Sequence, residues 1–292
     1  MLTAIGRRDF LRYGLGAGAG AVLAPSSLRA ADAGKRHAHD VVDLGRTGIR
    51  LTRLAMGTGT HGGNKSSNQT RQLGLDGLAD LYWFGFDQGV RFWDSADGYG
   101  SHPHLKKSLT RVARDKVTIL TKTRAATAEE MRADLDRFRQ EIGTDYLDIV
   151  LLHAVTDPEF PQKRQGAMDV LAEAREKGLV RTHGVSCHSL AALRVAARTP
   201  WVQVDLARLN PIGAKMDADP GTVISVLREM KAAGKGVIGM KILGEGAMRD
   251  RVDEALQFAM RQDCLDCFTI GAENRQELAD LIRRIPETSA RG

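Results

Sequence analysis

Four ionisable side chains stand where short apolar runs stop, and together they have the makings of a proton-transfer site. In RFWDSADGYG, residues 91–100, Asp94 closes an apolar run, and Tyr99 follows five residues later on a loop made pliable by Gly98 and Gly100. Lys122 comes just after the run 117–120, and His153 just after 147–152. A free phenol, with a pKa of about 10, is a poor proton donor at neutral pH. A lysine cation beside it favours the phenolate and lowers that pKa, a carboxylate holds the lysine in place, and a histidine can orient a carbonyl. Taken singly, these residues are ordinary: a rim tyrosine, a solvated lysine, a capping aspartate, a core histidine. Their coincidence at the ends of successive apolar runs is what points to chemistry.

To meet, these residues need a scaffold that brings strand ends together. After a polar linker, VVDLG and IRLTRL flank Arg46-Thr47-Gly48 and read as a small hairpin capping the closed end of a barrel. A strand ending at Gly57-Thr58-Gly59 leads through a polar loop, 61–72, to a helix up to residue 88. Strands are then expected at 90–93, 117–120, 147–152, 180–185, 201–206, 236–240 and 267–270, with helices between them. The most legible helix opens with Thr127 and Glu130 as a capping box. It carries Met131, Leu135, Phe138 and Ile142 on one face and stops at Gly143. Asp219 and Pro220 open another helix, which Gly234 ends. Regular strand–helix alternation without a break in composition predicts a single (β/α)8 TIM barrel rather than a doubly wound sheet.

At 292 residues, with 42% hydrophobic and 27% charged, the chain can bury a large core. The net charge of +6 is spread over interspersed signs, which argues against nucleic acid as a partner. Residues 1–33 read as an export signal: Arg7 and Arg8 in GRRDFL resemble the twin-arginine motif, a glycine-rich apolar stretch follows, and Ala31 and Ala33 form an A-x-A site. The expected domains are thus a signal over 1–33 and a barrel over 34–292, with periplasmic or exported localisation, the twin-arginine machinery as a partner and no membrane anchor after cleavage.

In order along the chain, LGRTGIRLTRLAMGTGT, DSADGYGS, ILTKT, DYLDIVLLH, GVSCHS, QVDLARLNP, KILGEG and TIGAENRQEL resemble segments of the aldo-keto reductase family over nearly the whole mature length. The resemblance implies a metal-free, NAD(P)-dependent oxidoreductase acting on a carbonyl or alcohol. Asp94, Tyr99, Lys122 and His153 match the family's catalytic positions. At the cofactor, it implies roles for Gly57, Thr58 and Gly271, for Ser186 and Gln203 at the nicotinamide amide, and for Met240 packed on the ring. Lys241, Leu243, Gly244 and Gly246 would lie at the pyrophosphate. Cys187 stands where an asparagine is common.

At the adenosine end, Glu273 and Glu277 replace residues that usually meet a 2′-phosphate or the base. A carboxylate repels phosphate but accepts a hydrogen bond from a ribose hydroxyl, so NAD is expected alongside NADP, with Arg275 as the counterweight. Cys264 and Cys267 form a lone CxxC, read as a disulfide or free thiols rather than zinc ligands. His102 and Arg124 are expected beside the substrate, which would be a small carbonyl or alcohol such as a sugar. The competing reading is a non-catalytic exported barrel that binds or scaffolds.

Overall fold

The computed structural model of the protein describes residues 34–290. The expected export signal over 1–33 lies outside the described residues. Strand β1 (Val41–Asp43) pairs antiparallel with β2 (Arg50–Thr52). Eight further strands, β3 (Leu54–Gly57), β4 (Phe92–Asp94), β5 (Thr118–Thr123), β6 (Leu147–Val155), β7 (Val180–Cys187), β8 (Val204–Arg208), β9 (Gly236–Met240) and β10 (Cys267–Ile270), close into a barrel. Every barrel pairing is parallel, and β10 returns to β3. The helices on the outer face are α1 (Asn68–Asp87), α2 (His102–Ser108), α3 (Ala128–Ile142), α4 (Phe160–Lys163), α5 (Gln165–Glu176), α6 (Leu190–Arg198), α7 (Pro220–Ala232), α8 (Val252–Arg261) and α9 (Arg275–Ser289). This is the expected (β/α)8 architecture with its hairpin. No described helix is long and apolar enough to cross a membrane.

Successive side chains on a strand face opposite ways, so each strand contributes one set to the barrel interior and another to the surrounding helices. Ala55, Phe92, Leu120, Ile149, Leu151, Val204, Leu206, Ile238 and Cys267 form an inner cluster that includes Leu44, Ile49 and Leu51 of the hairpin. The hairpin therefore plugs the N-terminal end of the barrel. Its turn sits so close to β9 that a Cβ on Gly45, where φ is +52°, would stand 2.4 Å from the Gly236 nitrogen. The alternate set, among them Trp93, Ile119, Val150, Leu152, Val185, Ala207 and Phe268, packs against the helices in a separate and larger cluster.

Helix α3 is as expected: Thr127 and Glu130 make the reciprocal cap, and Gly143 ends it with φ +73°. Other boundaries move. Helix α1 starts at Asn68, inside the expected loop, because Ser67 and Thr70 form a capping box without the usual glutamate. Helix α2 begins at His102 with Pro103 in its first turn. Strand β8 runs from 204 to 208 rather than 201 to 206, since Trp201 is stacked at 4.3 Å on the ring of His183 and donates to the Met168 carbonyl. That shift carries the strand two residues further towards the mouth.

Candidate active site

The inward parity of the lower barrel continues upward, and at the C-terminal ends of the strands it presents polar side chains. Asp94 is in phase with Phe92, Lys122 with Leu120, His153 with Ile149 and Leu151, Ser186 with Gly184, and Thr269 with Cys267. Lys122, 1% exposed, donates to Asp94 Oδ1 at 2.5 Å and to the Ser95 carbonyl at 2.8 Å. The other Asp94 oxygen accepts from Thr269 Oγ1 at 2.9 Å. A buried ion pair is stable only when its remaining hydrogen-bonding capacity is used, and Thr269 and Ser95 do this here. Thr269 is a member of the site that the sequence did not announce, visible only once β10 lies beside β3.

Tyr99 comes from a single 3-10 turn after β4, with Lys122 Nζ 4.8 Å from the centre of its ring. Its hydroxyl lies 3.4 Å from His153 Nε2, and the two rings meet edge to face. The loop after β3 holds the ring from the other side. A Cβ on Gly59 or Gly62 would stand 2.4 or 2.5 Å from its carbons, so glycine is required at both positions. His153 is set by a bulge: the β6–β7 register shifts between Leu152 and Val155, and Ala154 takes φ +52° while its N–H donates to Ser186 Oγ at 3.3 Å. All four expected catalytic residues are thus brought together.

The electrostatics refine the expectation for Tyr99. Burial raises its pKa above the ordinary phenol value, and the Lys122 charge offsets only part of that rise. Burial would lower the pKa of Lys122, but the charges of Asp94 and Tyr99 raise it on balance and keep the ammonium protonated. Burial and then the Lys122 charge push His153 down to about 2, so its imidazole is neutral at any physiological pH. His188, whose ring centre is 6.5 Å from that of His153, is lowered to about 4 by burial and by Arg208. The arrangement holds a protonated phenol, a neutral hydrogen-bonding imidazole and a fixed cation on one side of the mouth.

The expected cofactor residues divide. Ser186, Met240, Lys241, Leu243, Gly244 and Gly246 lie at or just beyond the C-terminal ends of β7 and β9. Lys241, Gly244, Glu245 and Gly246 all have positive φ, and Lys241 Nζ reaches Glu245 at 3.2 Å. Gly57, Thr58 and Gly271 end β3 and follow β10, and a Cβ on Gly271 would come within 2.5 Å of Thr60 Oγ1. Glu273 accepts from Asn68 Nδ2 at 2.7 Å, and Glu277 bonds the N-cap Asn274 at the start of α9. Arg275 lies over the Phe84 ring at 5.7 Å.

Gln203 does not join them. It precedes β8 at the closed end, out of phase with the inward Val204 and Leu206, and its carbonyl accepts from Gly236. Arg208 holds the inward position at the mouth end of β8, paired with the buried Asp217. Just beyond it, the buried Asn210 donates to Ala214 O and Lys241 O at 2.8 and 3.2 Å. The signal for both was their place in the QVDLARLNP segment. Reading the strand as ending at Leu206 hid them.

The His102 expectation changes, and the other readings near the site are made definite. His102 does not reach the mouth: it is buried, with Nδ1 2.7 Å from Glu141 and Nε2 2.7 Å from Thr121. Asp97, His102 and Glu141 offer ligand atoms within 4.8 Å of one another, but Arg137 already binds both acids. Cys264 and Cys267 are free thiols facing different clusters, Cys267 inside the barrel and Cys264 among the helices, and burial raises both pKa values. Cys187 points away from the mouth into the helix-facing core. Arg124 is exposed two residues beyond Lys122.

A parallel barrel with this tetrad at its mouth defines a class, and the relatives agree. Residues 53–288 match the Aldo/keto reductase family, and the chain belongs to it. It is 25% identical over 170 residues to the NADH-specific methylglyoxal reductase of Escherichia coli (strain K12), covering 50% of this chain and 51% of that protein. It is 36% identical over 81 residues to the pyridoxal 4-dehydrogenase of Microbacterium luteolum, covering 27% of this chain and 22% of that protein. The chain thus matches about half, or less, of the length of these curated relatives. Among solved structures, an aldo-keto reductase from Pseudomonas aeruginosa superposes with a TM-score of 0.71 at 21% identity, covering 87% of this chain and 97% of that one. The holo form of an aldo-keto reductase from Bacillus halodurans gives 0.68 at 12% identity, covering 87% and 96%. These two likenesses concern the fold.

Proposed function

We propose that the protein transfers a hydride between a nicotinamide cofactor and the carbon of a small carbonyl or alcohol, with Tyr99 exchanging the accompanying proton. The observation that carries this reading is the convergence of the Tyr99 hydroxyl, His153 Nε2 and Lys122 at one barrel mouth, with Lys122 tied to Asp94. The nicotinamide supplies or accepts the hydride when bound. In the reducing direction the Tyr99 O–H gives its proton to the substrate oxygen, and in the oxidising direction the phenolate takes it back. The raised pKa of Tyr99 favours the donor form at neutral pH. Neutral His153 hydrogen-bonds the carbonyl oxygen, and the Lys122 ammonium stabilises the phenolate left after each donation.

The residues present fit such a cofactor in their chemistry. Ser186, Met240, Arg208 and Lys241 sit at the ends of adjacent strands, and the glycine turn 244–246 follows Lys241. Gly57, Thr58, Gly271, Glu273 and Arg275 flank the far side, beyond β3 and β10. We further propose a preference for NADH over NADPH: Glu273 stands at the adenosine end and repels a 2′-phosphate, and Arg275 stacks on Phe84. The NADH-specific character of the Escherichia coli methylglyoxal reductase is consistent with this. The export reading of residues 1–33 is likewise proposed, and fractionation of the full-length chain, with and without Arg7→Lys and Arg8→Lys, tests it.

Fluorescence titration of the purified chain with NADH and NADPH, after assay for nucleotide already bound, tests the function. Saturable binding with a lower Kd for NADH is expected. A clear preference for NADPH overturns the cofactor choice. Absence of binding to either overturns the oxidoreductase reading in favour of a non-catalytic barrel.

A further inference from the structure

A cavity of about 420 Å³ opens at the closed end of the barrel, far from Tyr99, between the hairpin turn, the end of α6 and the start of β9. Gln203 and Gly236 lie at this end, whereas Arg208 and Met240 end the same two strands at the mouth. Four or five residues of extended chain separate the two levels by roughly 13–17 Å. Arg46, Arg198 and Lys235 line the cavity with Thr47 and Gln203, and no acidic side chain does.

The three cations line one cavity without an acidic side chain in its wall. The protein's surface arginines and lysines are mostly matched by carboxylates, including Arg50 with Asp43 on the same hairpin and Lys231 with Asp266 nearby. Neither Arg46 nor Arg198 has a carboxylate within ion-pair distance among the described residues. Lys235 is 8% exposed and donates to the carbonyls of Thr199 and Val202 at 2.5 and 2.8 Å. An ammonium carries three N–H groups, so one is left for a partner in the cavity. Burial lowers the pKa of Lys235, and the charge of the buried Asp205 offsets only part of that fall.

We infer that this cavity is a binding site for a small phosphorylated anion, separate from the catalytic mouth. Two guanidinium forks flanking a buried ammonium suit the tetrahedral, multiply charged oxygens of a phosphate ester. The volume falls in the range of about 300–1,000 Å³ that small ligands occupy. The Gln203 amide adds a neutral donor and acceptor for the rest of the ligand. Gln203 is thereby placed at this site and not at the nicotinamide.

Calorimetric titration of the full chain with inorganic pyrophosphate, at low ionic strength, tests the site. The parent, an Arg46→Ala/Arg198→Ala double variant and a Lys241→Ala variant at the mouth are compared. Both arginines are exposed, so the double variant should keep the parent's circular dichroism and Tm. Saturable binding that weakens at least tenfold in the double variant, and less than twofold in Lys241→Ala, is the expected result. No saturable binding by the parent, a double variant that binds within twofold of it, or a loss that follows Lys241 overturns the proposal. The Lys241→Ala variant separates anion binding at the proposed cofactor site from binding in the cavity, so the failure of this site and the failure of the proposed activity are distinguishable.

Discussion

At the closed end of the barrel, Leu44, Ile49 and Leu51 of the hairpin meet Phe92, Ile149 and Val204 and exclude water. At the mouth, the inward positions of β4 to β7 carry Asp94, Lys122, His153 and Ser186, with Lys122 bonded to Asp94 and His153 partly open to solvent. One alternating pattern serves both ends. An apolar lower layer contributes burial and leaves the upper layer with a low-dielectric floor, which strengthens the Asp94–Lys122 attraction and holds His153 neutral. Stability and chemistry are thus separated along the barrel axis, so substitutions at the two ends should fail in different ways.

The sharpest break between them is Tyr99→Phe, which keeps the ring and removes only the O–H. It should lower kcat by about 10²–10⁴-fold, roughly 3–5 kcal/mol, with an unchanged Tm; steady-state kinetics and a thermal melt check both halves. Leu44→Ala should do the reverse. Removing a fully buried side chain from the plug costs about 2–5 kcal/mol in a denaturant titration, while kcat of the folded fraction stays within a factor of two.

A pH-dependent test concerns Asp205, which is buried on the helix-facing side of β8 beside Cys187. Burial pushes its carboxyl up from 3.8 to about 7. A raised carboxyl pKa favours folding below the unfolded value, and that contribution is lost as pH rises from about 4 through 7. Asp205→Asn should therefore match the parent near pH 4 and exceed it by up to about 4 kcal/mol at pH 8, read from paired melts. The smallest effect is at the rim. Glu273→Ser should improve the ratio of NADPH to NADH affinity by about tenfold without changing Tm, measured by fluorescence titration.

Much of this was legible from residue types and spacing. The capping box of α3, the Pro220 start of α7, the bounds of β9 and β10 and the hairpin are local matters, decided by side chains a few residues apart. The tetrad was legible because each member sits at the end of an apolar run. Gln203 and His102 were misread for one reason: both lie near a recognisable motif, and proximity in sequence does not say which end or face of an element a side chain occupies. Gln203 falls at the wrong end of its strand, and His102 turns to Glu141 and Thr121.

The amino-acid sequence alone determined the alternation of strands and helices, the parity of each strand and the four groups able to move a proton, because these depend on local pattern. Only the tertiary structure decided that Thr269 completes the Asp94–Lys122 pair, that Gly59 and Gly62 wall in Tyr99, and that a bulge at Ala154 aims His153. It also decided that Arg46, Arg198 and Lys235 face one cavity. Those facts depend on barrel closure and register, which bring together residues far apart in the chain through packing that no local pattern encodes.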